Sequence, residues 1–184
     1  MRAAVVNADH RFDIVEVADP APGPGELLLR VGACGICGSD LKAVDNMRPG
    51  LVMGHEFAGE VVAIGADVDG WREGMHACAL HLIGCGRCAA CVTGDVAHCP
   101  TVDMIGVGGS SGAYAEYVRV SARESFALPE GIGTDIGALV EPLAVGLHAV
   151  DRATIRPHER VLVIGAGQVG LAITLWARHV GARE

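Results

Sequence analysis

Residues 85–100 read CGRCAACVTGDVAHCP and place Cys85, Cys88, Cys91 and Cys99 in one short run without hydrophobic periodicity. Such a run forms no amphipathic helix or strand, which leaves four readings of the thiols: disulfides, an iron–sulfur cluster, a zinc ion, or free thiols that hold nothing. The pattern C-x2-C-x2-C-x7-C before a proline differs from the ferredoxin run C-x2-C-x2-C-x3-C-P, because its last gap is longer. An all-cysteine zinc site needs four thiolates about 2.3 Å from one ion, and Gly84, Gly86 and Gly94 supply the turns that bring them there. Structural zinc is the favoured reading. Four sulfurs leave no open coordination position, so that ion would stabilise a loop and do no chemistry.

The rest of the chain fits this reading. Its 184 residues suffice for one ordinary domain, or for one domain and part of another. Hydrophobic residues make up 51% but aromatic ones only 4%, so the core must be built from Val, Ala, Leu and Ile. A net charge of −8, with no local Lys/Arg cluster, disfavours nucleic acid and anionic membranes as partners and leaves small molecules. The N-terminus MRAAVVNADHRFDIVEV carries charges where an export signal needs its apolar centre, which points to a cytoplasmic, reducing location. Seven cysteines there argue for metal binding or catalysis over a disulfide framework. The longest uncharged apolar run, Val161 to Ala177, is broken by Gly165, Gly167, Gln168 and Gly170 and falls short of the roughly 20 residues that span a bilayer.

The first hundred residues read as short strands between Gly/Pro turns: Ala3 to Val6, Ile14 to Val17, Leu27 to Val31 and Phe57 to Ile64. Ser39 or Asp40 caps a short helix into LKAV, and a further strand is expected over Tyr114 to Val120. After PEGIGTD the texture becomes helical, from Thr134 or Asp135 and again from Pro142, with apolar residues on most faces, so these helices are expected to be well buried. The final segment, RVLVIGAGQVGLAITLWARHVGARE, predicts a strand over Val161 to Ile164, a glycine turn, and a helix from Gln168 to about Val180. A single βα unit cannot bury both its faces, so the chain is expected to belong to an enzyme of about twice this length. The fold class expected is mixed α/β: a β-rich domain with a thiol lobe, then the opening βα unit of a doubly wound domain.

Three further pieces are scattered through the β-rich part and beyond: GICGSD (35–40), GHE (54–56) and EPLAVGLHAV (141–150). Taken singly, Cys37 reads as a buried small residue, His55 as a satisfied histidine and Glu141 as a carboxylate at a helix start. In this order, upstream of GAGQVG, they carry a resemblance. The chain resembles the zinc-containing medium-chain dehydrogenase/reductase family, the alcohol and polyol dehydrogenases with a GroES-like catalytic domain, over essentially its whole length. The resemblance implies a GroES-like zinc domain over residues 1–153, with a structural zinc lobe at 84–100, and the start of a Rossmann dinucleotide-binding domain over 154–184. It implies two zinc ions. Cys37, His55 and Glu141 would ligate the catalytic ion, with Glu56 a ligand or a neighbour exchanging with water, and Cys85, Cys88, Cys91 and Cys99 the structural one. Ser39 would pass the hydroxyl proton outward, and Asp40 would orient His55 through its other ring nitrogen.

The activity implied is hydride transfer between an alcohol or polyol and NAD or NADP. Glu141 stands where many relatives have cysteine, which resembles the polyol dehydrogenases. Threonine dehydrogenase-like members also carry a carboxylate there, so amino alcohols stay open. The cofactor would lie on Gly165, Gly167, Gln168, Val169 and Gly170, Gly165 allowing the tight turn, Gly167 the approach of pyrophosphate and Gly170 the packing of helix on strand. The residue that separates NAD from NADP falls at or past Glu184. Relatives of this kind imply a homo-oligomer at full length. Two departures stand out: Lys42 replaces the histidine that ends the proton relay in many relatives, and Gly74, Met75, His76 and Ala77 replace the usual GDRV. His76, His81 and His98 are expected at the surface or in packing. Outside catalysis, a zinc-stabilised GroES-like binding domain and an iron–sulfur electron carrier are the other readings.

Overall fold

A computed structural model describes residues 1–183. The chain divides into two compact units, Met1–Ala138 and the residues from Leu139 onward. The first unit opens with a hairpin, β1 (Arg2–Val6) and β2 (Phe12–Glu16), followed by the long strand β3 (Glu26–Gly35) and a short helix α1 (Gly38–Ala43). Next come β4 (Glu56–Ile64), β5 (His76–Ala79), β6 (Leu82–Ile83), helix α2 (Ala89–Val92) and β7 (Asp103–Met104). The unit closes with β8 (Tyr117–Ser121), β9 (Ser125–Ala127) and the single turn α3 (Thr134–Gly137).

Five of these strands form one antiparallel sheet in the order β8-β3-β4-β5-β9. Alternation places Leu27 and Leu29 of β3, Phe57 and Val61 of β4, and Val118 and Val120 of β8 in one core with Ile105 and Ala113. Each of the larger side chains contributes about 1.5–3 kcal/mol by leaving water. Strands β3 and β4 pair from Leu27↔Ile64 to Gly35↔Glu56, with register shifts at Leu28/Leu29 and Val31/Ala33. That register matters for the site, because it sets the end of β3, just before Cys37, against the start of β4, just after His55.

Tyr114–Glu116 do not join β8 as the sequence suggests. Their main chain is used elsewhere: Tyr114 N–H donates to Met53 O (2.9 Å), and Tyr114 O accepts from Ala4 N–H (2.7 Å). The strands β5, β6, β7 and β9, two to four residues each, carry no alternation that marks them in sequence. Pairing with neighbours defines them.

The second unit holds α4 (Val140–Arg152) and α5 (Gln168–His179). Pro142 lies in the first turn of α4, where its missing N–H has no partner to lose. The helices meet at Gly146, where an added Cβ would lie 2.6 Å from that of Ala172. Trp176 Nε1–H donates to Leu143 O (2.8 Å) across the same contact. Contrary to the expectation of deep burial for the helix that begins around Pro142, Val145 and Leu147 of α4 are 42% and 41% exposed, its packed face within this unit being the one turned to α5. The strand expected over 161–164 forms no ladder among the described residues, and Leu162 and Ile164 are 86% and 91% exposed. A parallel strand is defined by its neighbours in the sheet, and its following helix forms without them.

Candidate metal centres

The thiol lobe hangs between β6 and β7. Sγ atoms of Cys85, Cys88, Cys91 and Cys99 all lie within 4.8 Å of one another, and all seven cysteines are free thiols. Backbone N–H groups turn inward on the sulfurs: Cys85 N–H donates to Cys99 Sγ (3.4 Å) and Cys91 N–H to Cys88 Sγ (3.5 Å). The N–H groups of Cys85 and Thr101 pull the Cys99 thiol down to about 6, while burial pushes Cys91 up to about 12. Gly84 leaves the room the cluster needs, since a Cβ there would stand 2.7 Å from Cys91 Sγ. Four soft donors in one closed group, with thiolate already favoured at Cys99, fit a tetrahedral zinc ion. Val96, Leu82 and Val102 pack around Cys91 and Cys99, and Arg123 Nη1–H donates to Gly86 O (3.1 Å), joining the lobe to the sheet.

The second centre is built where β3 ends and β4 begins. Ligand atoms of Cys37, His55 and Glu56 lie within 4.8 Å of one another. His55 and Glu56 are 6% and 2% exposed. Gly35 faces Glu56 in the ladder, and a Cβ there would collide with the Glu56 carboxylate, so the glycine makes room for a buried acid. Cys37 caps α1: its sulfur accepts the Ser39 N–H (3.5 Å), while its own N–H donates to Asp40 Oδ2 (3.1 Å). Neither Ser39 nor Asp40 is the cap. Asp40 occupies the third helical position, which carries its carboxylate back under Cys37, and Ser39 is exposed.

Asp40 Oδ1 stands 3.3 Å from His55 Nδ1, and neither atom makes another hydrogen bond among the described residues. The approach is that of an ion pair lying off the straight N–H···O line. It occupies Nδ1 and leaves Nε2 as the donor for a metal. Asp40 raises His55 to about 9, against the opposing effect of burial, so a metal entering here displaces a proton. Burial alone would raise Asp40 itself, but the close approach of His55 and the hydrogen bond from Tyr114 outweigh it and hold the carboxyl below its ordinary range. A thiolate, an imidazole and a carboxylate form a donor set that suits zinc and, with three protein ligands, leaves a position open.

Glu141 is the second residue of α4 and half-buried; it belongs to the other compact unit. In that unit Gly165 takes φ +111, Gly167 caps α5, and a Cβ on Gly170 would collide with the Gly165 carbonyl. Gln168 and Val169 open the helix on its exposed side.

Two residues gain importance that their sequence surroundings do not suggest. His81 is in packing, as expected, but its neighbour is a candidate ligand: its ring lies 5.3 Å from that of His55, and burial and the His55 charge lower its pKa. Tyr114 donates its hydroxyl to Asp40 Oδ2 (2.7 Å), 74 residues away in sequence. No local motif marks either one.

The sequence profile of the alcohol dehydrogenase GroES-like domain matches residues 23–130, which include both clusters. The chain belongs to the zinc-containing medium-chain dehydrogenase/reductase family. Among curated members of that family, sorbitol dehydrogenase of Bacillus subtilis is 34% identical over 189 residues, covering 99% of this chain and 54% of the relative. L-threonine 3-dehydrogenase of Pyrococcus furiosus is 38% identical over 183 residues, covering 95% and 51%. A zinc-binding dehydrogenase from Sinorhizobium meliloti, solved with NADP, superposes with a TM-score of 0.89 at 36% identity, covering 99% of this chain and 54% of that one. The chain therefore spans about half the length of the family members it matches. No helix among the described residues is long and apolar enough to cross a membrane.

Proposed function

We propose that the chain is the metal-holding part of an enzyme that moves a hydride between an alcohol or polyol and NAD or NADP. Residues 1–153 form its GroES-like catalytic domain, and 154–184 open a Rossmann domain. The observation that carries this reading is the presence of two metal-ligand groups of opposite kind in one unit: four thiols in a closed cluster, and Cys37, His55 and Glu56 in an open one. Related dehydrogenases act on sorbitol and L-galactonate by their names, which supports a hydroxylated carbon chain as substrate.

In this reading Cys37, His55 and Glu141 hold the catalytic zinc, with Glu56 beside them exchanging with water at the fourth position, and Cys85, Cys88, Cys91 and Cys99 hold the structural one. Zinc and nicotinamide, when bound, supply a Lewis acid for the substrate hydroxyl and an acceptor for hydride. Asp40 keeps the proton on His55 Nδ1, so that Nε2 faces the ligand group. The Ser39 hydroxyl takes the proton that the substrate hydroxyl gives up. Ser39 is exposed, so it hands that proton to water without the histidine that Lys42 replaces. The hard carboxylate of Glu141 in place of a thiolate makes the centre more tolerant of a second substrate oxygen, which favours vicinal diols. The bend at Gly165, Gly167 and Gly170, with Gln168 and Val169, receives the pyrophosphate at the α5 N-terminus.

The test is alcohol oxidation by the full-length protein across a panel of polyols, simple alcohols and threonine. Cys37→Ala and Glu141→Ala are expected to abolish turnover of every substrate the unaltered protein oxidises. Unaltered turnover in the Cys37 variant would refute the assignment.

A further inference from the structure

Tyr114 is the residue that the site needs and the sequence motifs leave out. We propose that Tyr114 is a positioning residue that orients His55 as a metal ligand, holding the histidine through its side chain and through its main chain at once. The inference rests on the proposed metal centre and extends it to a residue outside the ligand motifs.

The side-chain hold runs through Asp40. That carboxylate is 3% exposed, so its direction is set by the groups that touch it and not by water. Oδ2 accepts the Tyr114 hydroxyl (2.7 Å) and the Cys37 N–H (3.1 Å), which leaves Oδ1 to face His55 Nδ1 at 3.3 Å. Without the hydroxyl, the Cys37 N–H alone would have to fix the carboxylate plane. The phenol also approaches Gly35 O (3.2 Å), and burial together with Asp40 keeps it protonated, so it acts only as a donor toward the carboxylate.

The main-chain hold runs through Gly54, the residue before His55. Tyr114 N–H donates to Met53 O (2.9 Å) and Ala113 N–H to Gly54 O (2.9 Å), so the strap 113–114 lies along the approach to the ligand. Gly54 has φ +98, and a Cβ on it would stand 2.6 Å from Tyr114 Cδ1, which places the ring directly on the glycine. Phe12 meets the same ring edge-on at 5.9 Å from outside. The ring is thus held on two sides while its hydroxyl reaches the carboxylate. A phenylalanine would pack equally well here. Only the hydroxyl reaches Asp40.

The experiment follows zinc loss to a colorimetric chelator from the weaker of the two sites in the full-length protein. It uses the unaltered protein, Tyr114→Phe, Asp40→Asn, the double variant and Phe12→Leu, with thermal stability measured beside it. Tyr114→Phe is expected to speed zinc loss roughly three- to tenfold, less than the roughly 10- to 100-fold typical of a group that touches the ligand directly. Asp40→Asn is expected to reach that larger range, and adding Tyr114→Phe to it should change nothing further, because the hydroxyl acts through the carboxylate. Phe12→Leu, which loosens the ring but keeps the hydroxyl, should lower the melting temperature and leave the release rate alone. In zinc-loaded protein the 15N shifts of the His55 ring should move in Tyr114→Phe and not in Phe12→Leu. An unchanged release rate in Tyr114→Phe, or an equal effect of it in the Asp40→Asn background, overturns the proposal while leaving the metal centre standing. A single, tightly held zinc in the unaltered protein overturns both.

Discussion

Gly54→Ala measures how tightly the fold clamps the approach to His55, and Gly50→Ala supplies its control. Both glycines have left-handed backbone, φ +98 and φ +90, but a Cβ on Gly50 meets nothing within 4 Å. On Gly54 it would meet the Tyr114 ring at 2.6 Å and the Tyr114 main-chain nitrogen at 2.9 Å. Alanine at either position incurs the conformational cost, about 1–3 kcal/mol. Only Gly54 adds the steric one, about another 1–3 kcal/mol for overpacking that cannot relax, because moving the Tyr114 nitrogen breaks its bond to Met53 O. Urea unfolding of the two variants against the unaltered protein gives the comparison, with the steric part read as the difference between them. Gly54→Ala should be less stable than Gly50→Ala by about 1–3 kcal/mol. Equal losses in the two variants would refute the contact between the strap and the ligand approach.

Cys88→Ala should lower the yield of folded protein and reduce the zinc content from two ions to one, with the second centre intact; zinc analysis of the soluble fraction checks it, and two retained ions would count against the four-thiol clasp. Glu116→Gln should flatten the acid limb of stability. Glu116 accepts the Arg2 main-chain N–H (2.8 Å) and the Arg2 guanidinium (2.8 and 3.0 Å), which hold its carboxyl below the ordinary 4.5. A depressed carboxyl stabilises the folded state above its unfolded pKa, and that contribution disappears as pH falls through the folded one. Melting temperatures of the two proteins should therefore differ above about pH 4.5 and converge below it. The difference is small, because the pair is exposed.

What the sequence makes legible follows from how local each cause is. The thiol cluster is legible because four cysteines within sixteen residues need no tertiary fold to meet. Cys37, His55 and Glu56 sit in short motifs that can be read, but their meeting depends on the β3–β4 register, which places Gly35 opposite Glu56. The longer strands announce themselves by alternation, whereas β5 and β9 exist because Ala77 pairs with Ala127 and Cys78 with Phe126. Val161–Ile164 shows the reverse case, a pattern that reads as a strand but makes no ladder among the described residues. Tyr114 and His81 escape notice for one reason. Their partners, Asp40 and His55, lie far away in the chain, and neither sits in a motif whose spacing would give it away.

Zinc K-edge X-ray absorption, with metal content measured on the same samples, tests the two-centre arrangement most directly when the full-length protein is compared with its Cys37→Ala variant. Two zinc ions per chain are expected in the unaltered protein, with an average of about 2.5 sulfurs per ion and nitrogen or oxygen donors making up the rest. The variant should keep one ion, surrounded by four sulfurs at about 2.3 Å. One all-sulfur zinc in the unaltered protein, or a variant spectrum identical to it, would contradict the open centre at Cys37, His55 and Glu56.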